Sequence, residues 1–553
     1  MRLHDVKKPL AEPVAEAFTL SEEYGATFMA LGVYSPTQFV MRLAPRIHEL
    51  VDALGEGDTE GRDPDELFTA YSTFLHETIH WWQHIGSTSG LIMSLSYPAQ
   101  CTSILEPLRA VVQKYGPQKP LKRWAEERLI AGGLGANAEL AQANEAVNNI
   151  LDVEFYKIFA TSPLRAQELF ANPYFECVGH SYAIAYGNTF RALIDSCNIS
   201  PNSLPDPGDW DKLTEALGKS QHEGFYHGSP IRRARVGLRD IYEGQARFNQ
   251  LQLLQVTGGP TDCTYYRDAG YFEGVYVSAF EEFLRLTNFE WPEHIDSPLV
   301  ALFLLICDLA VNPTRGFPFP IEEPGTILVE VDPGMRFNQL CAAARAHPEL
   351  CSAIQSCSRD DYIQVSHVLT RACAYDHPMQ ALKAIVDLID SDAGVATLMA
   401  EWATFRFSTI NLPFRLITAA FLSFCRDKLE HPEFFCWPGL YWVDKNNSAS
   451  AALFQRNLPL YVDRADTERI YARQLPGREH KDVWDTRVAF FANLLLYDLT
   501  KQWVIGEGPF RYDFYWLTGT HQNDELITYA KTQFEKIFGV HPDEFERGVN
   551  PAI

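Results

Sequence analysis

The chain has no CxxC pair and no compact cysteine framework; its eleven cysteines are scattered over 553 residues. The closest pair, Cys351 and Cys357, is spaced for neither a zinc knuckle nor a dithiol redox motif, so buried free thiols in a reducing compartment are expected. No uncharged apolar run reaches the ~18–20 residues of a membrane span. The nearest, Leu299 to Ala310, is too short and contains Asp308. The opening stretch MRLHDVKKPLAEPVAEAF lacks an apolar h-region, so no secretory signal is expected. Basic residues are scarce as well: 47 Lys and Arg stand against 71 Asp and Glu, a net charge of −24. A surface of that sign repels phosphate backbones and anionic lipid headgroups, which argues against nucleic acid and membrane as partners. A cytoplasmic protein is the expectation.

What is present is ample material for a core. Hydrophobic residues make up 46% of the chain, with 35 Phe, 24 Tyr and 11 Trp, which excludes intrinsic disorder. Residues 25–44 mix β-branched and aromatic residues around a Ser-Pro turn and predict a short hairpin. A helix is expected from about Asp65 through LFTAYSTFLHETIHWWQHI, with Gly86 as its stop. Helical text follows to about Asn198. A second long helix is expected from an N-cap at Ser229, through Pro230, to Gly258-Gly259. A break at Asn312 to Pro324 precedes TILVEV, which reads as an extended segment. The class is therefore mainly α with a small α+β portion near the N-terminus. The segments are 1–96 (hairpin and first helix), 97–228 (helical insertion), 229–311 (second long helix and its surroundings) and 312–553 (helical C-terminal region).

One string carries chemistry: His76-Glu77-Thr78-Ile79-His80, an HExxH on a predicted helix. His76 and His80 lie one turn apart on one face, so both imidazoles can reach one ion. Glu77 points about 100° away, too far to be an easy third ligand yet near enough to act on a water at the metal. The pattern is expected by chance only about 0.03 times in a chain with 16 histidines. The apolar neighbours Phe74, Leu75, Ile79, Trp81 and Trp82 predict a helix buried on most sides, and buried imidazoles need a partner. A third ligand must come from elsewhere. Position 86 is Gly, so no third histidine follows in the motif. Glu243, in DIYEGQAR of the second long helix, is the leading candidate, with Glu176 its rival. Gly244 would let two helices approach closely. The alternative for Glu243 is an ordinary helix acid paired with Arg247 one turn on.

His76, Glu77, His80 and Gln83 (HExxHxxQ), followed by Glu243, Gly244 and Ala246 (EGxA), resemble the gluzincin-type zinc metallopeptidases. That resemblance is confined to the motif helices. It implies a zincin-like catalytic core elaborated by large helical insertions, and a Zn2+ held by His76, His80 and Glu243. It also implies that Glu77 serves as the base that activates zinc-bound water against a protein or peptide substrate. His84 and Asp240 are candidates to orient the ligands, and Tyr242 and Arg247 to do so or to stabilise the oxyanion, with His222, Tyr226 and His227 also near in sequence. Ala26 to Val33 would be the edge strand along which an extended substrate lies. Arg232, Arg233, Arg235 and Arg239 are expected to wind around the start of the second long helix as a solvated face. Trp437, Tyr441, Trp442 and the segment Tyr512 to Trp516 are read as core or a domain interface rather than a ligand cage.

Two other classes compete. Two histidines and a carboxylate also form the facial triad of non-haem iron oxidases and oxygenases, although the second Glu-x-x-His of a di-iron bundle is missing. A non-catalytic binding protein on a zincin fold is the other; Glu77 argues against it, because a structural zinc site needs no general base.

Overall fold

In the computed structural model the described residues are 27, 30–132, 138–316, 318–320, 323–441, 448–464, 467–475, 477–514 and 524–547. They are mainly helical, with one small sheet ordered β1-β2-β3-β4. The expected hairpin is β1 (Gly32–Ser35) and β2 (Val40–Leu43), with Ser35 opposite Val40. Of the anticipated edge segment, Ala26, Phe28 and Met29 lie outside the described residues. The sheet is completed from far along the chain. β3 (Tyr461–Arg464) runs parallel to β2, with Tyr461 opposite Val40, and β4 (Thr467–Ala472) is antiparallel to β3. Asp463 locks this junction from inside, accepting the Leu43 amide (3.1 Å) and facing His48 Nε2 (2.6 Å). Among the described residues β1 and β4 are the edges of this sheet.

The HExxH helix spans Pro64–Gly86. Asp63 caps it by accepting the Asp65 amide, Pro64 fits the first turn, and Asp65 and Glu66 face the positive end of its dipole. Its apolar residues are buried as their distribution predicts, and the indoles of Trp81 and Trp82 both donate to the Asn457 carbonyl (3.1 and 2.8 Å). Gly86 is not the expected stop but the last helical residue. A Cβ there would stand 2.2 Å from the Phe424 ring, so the glycine serves a close approach. Termination falls to Ser87, whose hydroxyl donates to the Gln83 carbonyl (2.6 Å) and accepts the Gly90 amide of the next helix (3.0 Å).

The second long helix spans Leu238–Val256 rather than starting at Ser229. Gly237 precedes it, pressed so closely on the Thr161 carbonyl and Pro163 that a Cβ would meet either at 2.5 Å. Asp240 accepts the Gly237 amide at 3.0 Å. Arg232, Arg233 and Arg235 therefore sit on non-helical chain before the helix, and only Arg239 is on it. The two long helices run antiparallel, tied by Gln83 Nε2 to the Tyr242 carbonyl (2.9 Å) and by Gln250 Nε2 to Ser72 Oγ (3.1 Å). TILVEV is not extended: Ile327–Val331 is a short helix, because Ile327 and Val331, one turn apart, are both buried.

One apolar core extends from Tyr34 to Phe545 and draws on all four segments anticipated from sequence. A second, between Val236 and Trp437, is built on the helix Pro298–Val311, whose Asp308 is neutralised by Lys428 and hydrogen-bonded by Tyr362. Trp437 is buried here and donates to the Ala301 carbonyl (3.0 Å), and Tyr441 donates to the Cys357 carbonyl; Trp442, Tyr515 and Trp516 lie outside the described residues. All eleven cysteines are free, and all but Cys351 and Cys373 are buried. Among the described residues no helix is long and apolar enough to cross a membrane.

Candidate metal centre

The HExxH helix and the Leu238–Val256 helix bring His76, His80 and Glu243 together. The two Nε2 atoms are 3.1 Å apart, and Glu243 Oε2 lies 3.5 Å from that of His76 and 3.4 Å from that of His80. Three atoms so spaced share a point about 1.9–2.1 Å from each, the bond length zinc takes with imidazole and carboxylate. A tetrahedral ion with such bonds has ligand-to-ligand edges of about 3.3 Å, whereas neighbouring positions of an octahedron lie about 3.0 Å apart. The donor set, two nitrogens and an oxygen converging from two buried helices, fits a divalent ion.

The supports of the two imidazoles differ. His80 Nδ1 is held by Gln83 Oε1 at 2.8 Å, and the Gln83 amide in turn donates to the Tyr242 carbonyl and to Gln245 Oε1 (3.0 Å). This fixes the His80 tautomer with Nε2 free for an ion. His76 Nδ1 is buried with no hydrogen-bond partner among the described residues.

Glu77 stands on the β1 side of its helix. Gly32 of β1 is so near that a Cβ would lie 2.7 Å from Glu77 Cγ, and the Tyr34 backbone amide donates to the carboxylate. Burial pushes the Glu77 carboxyl up to about 7, with His80 pulling against it. His76 is driven down to about 4 by burial despite Glu243. Burial also opposes the charge on His80, but Glu243 and Glu77 outweigh it and raise this imidazole to about 9. Glu243, although partly buried, is held well below the usual carboxylate range by the two histidines. In the metal-free chain a proton on His80 thus balances Glu243.

The remaining candidates are placed as follows. His84 is buried between the rings of Tyr34 and Tyr242, each 5.4 Å away, and burial drives it down to about 3. Asp240 is occupied with the helix cap, which replaces the expected hold on a ligand imidazole. The Tyr242 phenol is committed to the Gln83 carbonyl (3.0 Å) and Ser87 (2.8 Å), so it is no oxyanion donor; it supports Gln83 instead. Arg247 makes no ion pair with Glu243; its guanidinium stacks 4.0 Å over the Tyr276 ring and donates to Gln250. Glu176 is exposed and lies beside His180, away from the pair. His222 bonds the Gly325 carbonyl. Gly244 does permit close packing, but against Ala279 and Phe303 rather than the HExxH helix.

Sequence reasoning missed Tyr276, at the start of the helix Val275–Thr287. Its ring centroid is 6.0 Å from that of His76. Burial and Glu243 raise its phenol while Arg247, which hydrogen-bonds it, pulls the other way, so it remains a protonated donor at neutral pH. No local signal marks it. Compared with known proteins, the chain matches no family, no curated protein and no solved structure.

Proposed function

We propose that the protein is a zinc-dependent metallopeptidase of the gluzincin type. The observation that carries this reading is the convergence of His76, His80 and Glu243 at tetrahedral spacing, with the buried carboxyl of Glu77 beside them against an edge strand. A zinc ion supplies Lewis acidity, polarising a carbonyl and acidifying water. His76, His80 and Glu243 would hold it, and Gln83 keeps His80 aimed. Glu77 takes the proton of the attacking water and returns it to the leaving nitrogen, the role of a positioned carboxylate. The Tyr276 phenol donates to the oxygen that gains charge in the tetrahedral state, and Arg247 stacked on its ring orients it. β1 has no strand on its outer side among the described residues, so an extended peptide can lie along it, and Gly32 lets Glu77 pack directly against that strand.

The test is Glu77→Gln. The variant should keep stoichiometric zinc and lose chelator-sensitive hydrolysis of a mixed peptide pool. Full hydrolysis in that variant removes the base; stoichiometric iron in protein purified without added metal transfers the site to oxidation chemistry.

A further inference from the structure

A cavity of about 880 Å³ borders the metal centre, and His80 and Glu243 are among the residues that line it. Pro36, Thr37 and Gln38, the turn that follows β1, form part of its rim. A peptide lying along β1 is therefore led into this cavity on one side of the scissile bond. The cavity wall runs against the charge of the whole molecule. It carries Lys157, Arg165, Arg239, Lys501 and Arg511 in a chain whose acids outnumber its bases.

The acids facing these groups are few. Glu154 accepts both Lys501 (3.0 Å) and Lys157 (3.4 Å), so two ammonium groups share one carboxylate. Asp498, on the same wall, is engaged by the Gln502 amide at 2.7 Å and lies in the field of Arg511 and Lys501, and Glu243 is the third lining acid, so that three acids stand against five bases. Glu168 pairs with Arg165 at 2.9 Å. Arg239 is exposed and has no ion pair among the described residues, since Asp240 beside it is turned to the helix cap. A concave site with an excess of one sign of charge focuses its field and favours ligands of the opposite sign.

We infer that this cavity is a subsite for carboxylates, so that the substrate is a peptide bearing acidic side chains, or its own carboxyl terminus, a few residues from the cleaved bond. This rests on the peptidase reading for its position but not for its test. Zinc-loaded Glu77→Gln protein, which leaves the cavity untouched, is titrated with three fluorescent peptides. One carries internal glutamates and an amidated end, one carries glutamines and a free carboxylate, and one carries glutamines and an amidated end. Either or both of the first two should bind about tenfold tighter than the third, with affinity falling as salt rises. Arg239→Glu should erase about fivefold to tenfold of that preference while leaving the third peptide unaffected. Lys501→Gln should reduce it in the same direction.

The ranking of the first two peptides tells side-chain from terminal carboxylate. Equal binding of all three, no binding of the charged ones, or displacement by a short oligothymidine overturns the subsite. Salt-sensitive, Arg239-dependent binding without cleavage by the wild type leaves the subsite standing and removes the peptidase reading. Cleavage indifferent to acidic residues does the reverse.

Discussion

Gly32→Ala tests the geometry of the proposed base without altering any ionisable group. Gly32 lies in β1 and is not among the residues with positive φ, so its backbone accepts alanine and the reason for glycine is space. The added Cβ would stand 2.7 Å from Glu77 Cγ, 3.1 Å from Cδ and 3.0 Å from Oε1. Carbon atoms rest about 3.5–4.0 Å apart, so the Glu77 side chain must retreat by roughly 1 Å. A misplacement of about 1 Å at a reacting group costs up to about 10²-fold in rate, and overpacking of this kind costs about 1–3 kcal/mol of stability.

The expected result is kcat lowered by about 10–100-fold, with zinc content unchanged, because none of the atoms that Cβ meets belongs to His76, His80 or Glu243. Zinc stoichiometry, urea unfolding and turnover of a peptide pool are measured together. Gly55→Ala, on the helix Pro45–Glu56 where a Cβ meets nothing within 4 Å, is the control. It should leave turnover unchanged and add up to about 1 kcal/mol of stability. A folded, zinc-replete Gly32→Ala protein with full kcat would refute the role given to Glu77. A change in KM alone would place the alanine against the substrate instead.

Other outcomes follow from the same geometry. Gln83→Leu leaves His80 Nδ1 without its acceptor and should weaken zinc binding by about 10–100-fold, read by competition with a chelating dye; unchanged affinity would show that His80 needs no aiming. Tyr276→Phe should lower kcat by about 10²-fold while zinc affinity holds, and equal loss of both would make Tyr276 a structural support. Because His80 is raised to about 9 in the metal-free chain, zinc must displace one proton from it at neutral pH. Apparent affinity should rise about tenfold per pH unit between about pH 7 and 9, more steeply below about pH 7 where Glu77 also gives up a proton, and level off near pH 9; a flat profile between about pH 7 and 9 would remove the His80–Glu243 proton.

The all-round burial of the HExxH helix was legible because Trp81, Trp82, Ile79 and Phe74 cover more of its circumference than one amphipathic stripe allows. The first hairpin was legible from its Ser-Pro turn. What failed was decided by distant contacts. Ser229-Pro230 is an acceptable helix start in isolation, but Gly237 is wedged on Thr161 and Pro163, and the helix begins only after it. Gly86 looks like a stop until Phe424 supplies another reason for glycine. Nearness to Glu243 along the chain is all that makes Asp240 and Tyr242 candidates. One instead caps the first turn, and the other, about 100° round the helix, is held by the Gln83 carbonyl and Ser87. Tyr276 comes from a different helix, and its neighbours VYVSAF carry no feature that ties it to a histidine pair.

The electrostatics of the cluster link metal binding to the state of its base. Two carboxyls, Glu77 and Glu243, and two imidazoles converge on a single point, with Glu77 and His76 buried and His80 and Glu243 partly so. In the metal-free chain the balance is struck with protons: His80 keeps one, His76 stays neutral, and Glu77 sits near 7, largely protonated in mildly acidic solution. A protonated Glu77 cannot accept a proton from water. A divalent cation between His76, His80 and Glu243 reverses both assignments, since it competes for the His80 lone pair and its charge favours the ionised form of Glu77. Chelation should therefore remove the base together with the Lewis acid. Between about pH 5 and 7 it should also reveal a carbonyl infrared band from protonated Glu77 that zinc abolishes and that Glu77→Gln lacks. Persistence of that band in the zinc-loaded protein would mean that the ion and the base do not share a field, and the assignment of Glu77 as base would fall with it.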